Sequence, residues 1–143
     1  MYDPKRGYPI VVPCVLYDDP VRAATWLTTV LELRPVVRAE LPDGWVGHVE
    51  LERAGSVVLL GRRGGQFAGT DSVTQVFVDD VEATCRRVAD AGGTVVEAPQ
   101  DRPWGVRQAT LADLEHQRWV VCEHLRDTEP ADWYGTVLGP MPG

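Results

Sequence analysis

Residues 15–24, VLYDDPVRAA, and residues 76–85, VFVDDVEATC, follow one plan: an apolar run, two aspartates, then the start of a helical pattern. An offset of 61 carries Asp18 onto Asp79 and Asp19 onto Asp80. The same offset carries Val12 onto Val73 and Leu16 onto Phe77, and close to it the apolar runs VVLL and WVVC correspond. The pattern holds from Val12 to Cys122, as expected of a duplicated unit of about sixty residues. A repeat of this size restricts the fold strongly, because each copy must bury its apolar face against something.

Each copy reads as β-α-β-β-β. PIVVPCVLY is β-rich, and Pro9 and Pro13 place it at a sheet edge or an irregular start. Asp19-Pro20 reads as an N-cap with proline at the first helical position, followed by an apolar stripe of Val21, Ala24, Trp26 or Leu27, Val30 and Leu31. In the second copy Asp80 caps a stripe of Val81, Cys85, Val88 and Ala89, which Gly92-Gly93 stop. Three strands are expected after each helix, at 36–41, 46–53 and 56–60, then at 94–97, 107–112 and 118–123. Asp43-Gly44 and Ala54-Gly55 mark turns between them. The expected fold class is α+β, with two tandem βαβββ modules forming curved mixed sheets around a concave groove. Residues 1–127 form one domain: module one at 9–61, linker at 62–71, module two at 72–124. Residues 128–143 are a tail rich in Pro and Gly, partly disordered, with Trp133 pinning it to the body.

Strand alternation assigns faces. Val12, Cys14, Leu16, Val57, Leu59, Val73, Gln75, Phe77, Arg118, Val120 and Cys122 should face the groove. Val11, Val15, Val58, Leu60, Trp119 and Val121 should lie under the helices. A mainly apolar cleft with a few polar groups is a small-molecule pocket by default. Trp26 and Trp119 read as core, whereas Trp45 and Trp104 sit in turns, where they either stack on a flat ligand or pack at an interface.

The net charge of −7, from 14 Lys+Arg against 21 Asp+Glu, argues against nucleic acid and anionic membrane as partners. No apolar stretch reaches membrane-spanning length, and MYDPKRGYPI lacks a secretory pattern. Cys14, Cys85 and Cys122 are odd in number and embedded in apolar runs, which reads as buried reduced thiols in a cytoplasmic protein. There is no phosphate-binding glycine loop with a following lysine, and no Gly-x-Ser-x-Gly elbow.

DDPVRAATWLTTVLEL, GHVELERAGSVVLLG, VFVDDVEATCRRVADAGG and DRPWGVRQATLADLEHQRWVV together resemble the vicinal oxygen chelate superfamily. That superfamily includes glyoxalase I, extradiol dioxygenases and the bleomycin-resistance-like branch. The order and spacing of the segments carry the resemblance across most of residues 12–123. One departure is DLEHQ at 113–117, where His116 stands in place of a turn glycine and meets a cost if that turn needs a positive φ.

The resemblance implies a divalent metal whose ligands come from the first and last strand of each module. Its motifs map those ligands to Val12, Leu59, Val73 and Val120. All four are aliphatic and offer no donor atom, so neither metal nor cofactor is expected. A site built from Cys14, Cys122 and a histidine matches no known zinc spacing. The resemblance therefore implies a metal-free small-molecule-binding protein, one that sequesters an antibiotic or an aromatic metabolite in a groove of a homodimer. The expected ligand contacts are Trp45, His48, Glu50, Leu59, Val73, Gln75, Phe77, Trp104, Arg118, Val120 and Cys122. The alternative is a metal-independent isomerase or lyase using His48 and Glu50, two residues apart on one strand face, as base and orienting carboxylate.

Overall fold

The computed structural model describes residues 8–9, 11–40, 42–138 and 140. The opening segment 1–7, Ile10 of the expected first strand, Leu41 of the expected second, and tail residues 139 and 141–143 lie outside the described residues. Module one runs β1 (Cys14–Tyr17), α1 (Pro20–Leu31), β2 (Arg34–Glu40), β3 (Val46–Arg53) and β4 (Ser56–Arg62). Module two runs β5 (Val73–Phe77), α2 (Val81–Ala91), β6 (Thr94–Asp101), β7 (Val106–Ala112) and β8 (Arg118–His124). Each module is a four-stranded mixed sheet, ordered β1-β4-β3-β2 and β5-β8-β7-β6. The first strand of each pairs parallel with the last, and the other neighbours are antiparallel.

The local chemistry explains the boundaries. Asp19 accepts from Arg22 N at 3.1 Å, and Asp80 accepts from Ala83 N at 3.0 Å, so both aspartate pairs open helices. Gly92 ends α2 with φ 86°, where glycine has no steric cost, while Glu32 ends α1 with φ 58°. Pro35 and Pro99 sit in β2 and β6, the outer strands, beside irregularities of register. An edge strand tolerates a residue with no N–H, and so β6 continues past Pro99 to Asp101 beyond its expected end.

The core lies between the sheets and the two helices. Val15, Tyr17, Trp26, Leu27, Leu31, Leu60, Val88, Leu111, Trp119 and Val121 form one continuous buried cluster. Val58 belongs to it as well, so alternation placed β4 and β8 correctly. Two expectations fail. Val11 is 82 % exposed rather than packed under a helix, because the ladder begins only at Cys14, after Pro13, and strand parity does not extend beyond the ladder. Cys14 is exposed rather than buried, since it faces away from α1 on an edge strand; Cys85 is half-buried and Cys122 buried, and all three are free thiols. In the tail, Pro130–Trp133 form a short 3-10 turn, with Trp133 37 % exposed.

The β7–β8 turn ties module two to module one through buried hydrogen bonds. Asp113, buried at the end of β7, accepts from Tyr17 Oη at 2.5 Å, Trp119 Nε1 at 3.0 Å, and the amides of Glu115 and Gln117, each at 3.0 Å. Glu115 accepts from the amides of Asp18 at 2.6 Å and Asp19 at 2.9 Å, while Gln117 Nε2 donates to Leu16 O at 2.8 Å. His116 holds this turn with φ 68°, the left-handed conformation for which a glycine is usual.

Candidate functional site

Each sheet has one face covered by its helix and one turned away from it. On the first sheet, register sets Cys14, Leu59, Glu50 and Val37 in one row across that second face, and Leu16, Gly61, His48 and Ala39 in the next. Glu50 is only 3 % exposed. Its Oε2 lies 2.7 Å from His48 Nε2 and accepts from Tyr8 Oη at 2.7 Å. A buried carboxylate is costly without such partners, and here two side chains converge on it. Leu59 is half-buried beside it.

The end of this face is hollow. Cys14, Leu16, His48, Gly61, Arg62 and Phe67, with Ala39 and Gly47, line a cavity of about 420 Å³. The depth comes from Gly61: a Cβ there would lie 3.2 Å from Leu16 Cδ2 and 3.4 Å from Cys14 Sγ. Trp45, 56 % exposed on the β2–β3 hairpin, carries the Arg62 guanidinium over its ring at 4.4 Å.

The second sheet presents a different face. Its rows are Phe77, Cys122, Gln108 and Gln100; Gln75, Val120, Thr110 and Glu97; and Val73, Arg118, Ala112 and Thr94. Val73 is 70 % and Phe77 53 % exposed, Gln75 is exposed, and Cys122 is buried with Sγ 3.8 Å from Gln108 Oε1. Arg118 donates to His116 O at 2.7 Å. Trp104, 42 % exposed, lies in the β6–β7 turn, distant in sequence from every strand of the first sheet. Between the modules, Pro13, Val57, Val58, Val76 and Phe77 help to line a cavity of about 590 Å³.

The four positions that the resemblance maps to metal ligands all lie outside the helix-side core. Val12, Leu59 and Val120 are half-buried, and Val73 is exposed. Register places Leu59 beside Cys14, and Val120 beside Gln75. Hydrocarbon side chains supply no lone pair, so these residues do not fit a divalent cation. Among the described residues, no group of three or more His, Cys, Asp or Glu side chains is placed to hold one.

Partial desolvation of the Cys14 thiol and burial of Cys122 push both up, away from the reactive thiolate. Burial, reinforced by the Asp113 charge, pushes the Tyr17 phenol well above its ordinary range. The sequence did not reveal Tyr8 beside Glu50, Gly61, Arg62 and Phe67 around the hollow, or Asp113 at the junction. Gly61 was legible in principle, since it shares strand parity with Leu59. Arg62 and Phe67 fall in the linker, to which no periodicity applies.

The family model described as Glyoxalase/Bleomycin resistance protein/Dioxygenase superfamily matches residues 10–121. Among solved structures, TioX from Micromonospora sp. ML1 is 35% identical, with a TM-score of 0.68, covering 80% of this chain and 98% of TioX. TnmS3, an antibiotic binding protein from Streptomyces sp. CB03234, has a TM-score of 0.65 at 19% identity, covering 82% of this chain and 97% of TnmS3. The uncharacterized protein Mb0911c of Mycobacterium bovis is 28% identical over 130 residues, which cover 83% of this chain and 86% of the relative.

Proposed function

Because the chain belongs to the glyoxalase/bleomycin resistance protein/dioxygenase superfamily, we propose that it binds a small aromatic or partly apolar molecule and releases it unchanged. The observation that carries this reading is the hydrocarbon character of Val12, Leu59, Val73 and Val120, all of which lie outside the helix-side core. A site of this make-up offers apolar area and a few polar groups, and no Lewis acid. TnmS3, which shares the fold, is an antibiotic binding protein, and this supports sequestration as the class of activity. Trp45, His48, Glu50, Gln75, Phe77, Trp104, Arg118 and Cys122 complete the proposed set of contacts. We place the protein in the cytoplasm as a homodimer in which a second copy covers the exposed apolar side chains of β5, Val73 and Phe77.

A thermal-shift panel of aromatic antibiotics and metabolites tests the binding reading, with product analysis of every hit. A ligand that binds only the native state must raise its melting temperature. The expected result is a rise with the ligand recovered intact; no rise across the panel contradicts it. Analytical ultracentrifugation tests the dimer.

The 2.7 Å contact between His48 Nε2 and the buried Glu50 carboxylate favours a second reading, a metal-independent isomerase or lyase. Glu50 would hold the imidazole in one tautomer so that its other nitrogen could move a proton. Under this reading His48→Ala abolishes turnover while leaving affinity intact. Under the first reading it changes affinity alone.

A further inference from the structure

We infer that the hollow at the end of the first sheet selects planar aromatic acids, with the ring in the hollow and the carboxylate on Arg62. The inference rests on the small-molecule reading above and names the ligand class for one end of that face. Three observations carry it. First, the space is largely apolar: Leu16 and Phe67 line it, and the missing side chain of Gly61 keeps it open. Its volume of about 420 Å³ lies within the range of small-molecule sites. Second, Arg62 lines the same hollow, and its guanidinium lies over the Trp45 ring at 4.4 Å, a contact that restrains it.

Third, the charge on Arg62 is uncommitted. Arg34 pairs with Glu52, Arg53 with Glu32, and Arg107 with Asp101. Arg63, the next residue, is shared by Asp18, Asp71 and Glu115. Among the described residues, no carboxylate pairs with Arg62. In a chain of net charge −7, a stacked arginine without an acidic partner at the mouth of an apolar hollow is suited to an incoming anion. A planar carboxylate matches the guanidinium fork, and the attached ring matches the space beneath it.

Calorimetric titration with 2-naphthoate and its neutral isostere 2-naphthamide tests this on the intact protein. The expected preference for naphthoate is about tenfold at low salt and shrinks as salt is added. Arg62→Gln, a change at an exposed side chain, should bring the two affinities together. Gly61→Val should weaken both. Equal affinities in the unmodified protein, or a preference that survives Arg62→Gln, would overturn the inference while leaving small-molecule binding standing. If neither compound binds, the inference fails; if the aromatic panel also produces no thermal shift, the underlying reading fails with it.

Discussion

The β7–β8 turn and the β3–β4 turn occupy equivalent places in the two modules, with Asp113 just past the end of β7 and Glu52 near the end of β3. They do different work. Asp113 is buried and gathers four donors, among them the Tyr17 phenol from the other module. Glu52 is half-buried and, among the described residues, reaches Arg34 at 3.0 Å and the Gly55 amide at 3.4 Å, both within its own module. Across the junction on that side, Arg53 Nη1 donates to Phe77 O at 3.1 Å, and a cavity opens beside it. The β7–β8 turn thus gathers a dense buried network, while elsewhere the interface is crossed by separate contacts such as Arg53 to Phe77 O and Arg87 to Val30 O. The helix-side faces are apolar in both copies, while the turns have diverged. Packing constrains the former at every methyl group; the latter were free to become a junction in one copy.

The largest expected effect falls on the β7–β8 turn. Asp113→Ala strands several buried donors at once and should cost about 3–5 kcal/mol in urea denaturation, by analogy with breaking a buried polar network from one side. The corresponding change on the other side, Glu52→Ala, should cost no more than about 1 kcal/mol. Equal losses would erase the contrast between the turns.

Tyr17→Phe sharpens the comparison. It removes one donor and leaves the ring packed, so a loss of about 1–2 kcal/mol is expected. It should also change the alkaline limit. The folded-state Tyr17 phenol titrates above its ordinary value of 10.0, because burial and then the Asp113 charge oppose phenolate. The unfolded chain therefore releases that proton first. The contribution is fully present below about pH 10 and declines as pH rises through and beyond that value. Stability measured from pH 9 upward, an interval of about one unit on either side of the free phenol, should fall more steeply in the unmodified protein than in Tyr17→Phe. Parallel curves would show that the hydroxyl is not buried against a carboxylate.

The smallest expected difference concerns the two helix caps. Asp19→Ala and Asp80→Ala each remove one cap and should each cost about 1 kcal/mol. A large inequality would mean that one aspartate pair does more than open its helix.

Much of this was legible in the sequence because the repeat offset and strand parity are periodic signals. They placed Asp19 and Asp80 at helix starts and Val15, Leu60, Trp119 and Val121 in the core. Parity failed where no ladder enforces it, at Val11, and exposure was misjudged at Cys14 because an edge strand with an uncovered face shields little. The role of Asp113 was not legible, since its meaning depends on Tyr17, 96 residues away in sequence. The hollow was missed for a similar reason: Arg62 and Phe67 fall in the expected linker and meet Gly61 only in three dimensions.

Methyl NMR of selectively labelled valine and leucine tests the central claim most directly. With a bound aromatic ligand, the methyl signals of Val12, Leu59, Val73 and Val120 should shift, while those of Val15, Leu60 and Val121 beneath the helices stay in place. A ligand that shifts only methyls away from those four positions, or a stoichiometric metal ion whose removal abolishes the shifts, would contradict the account.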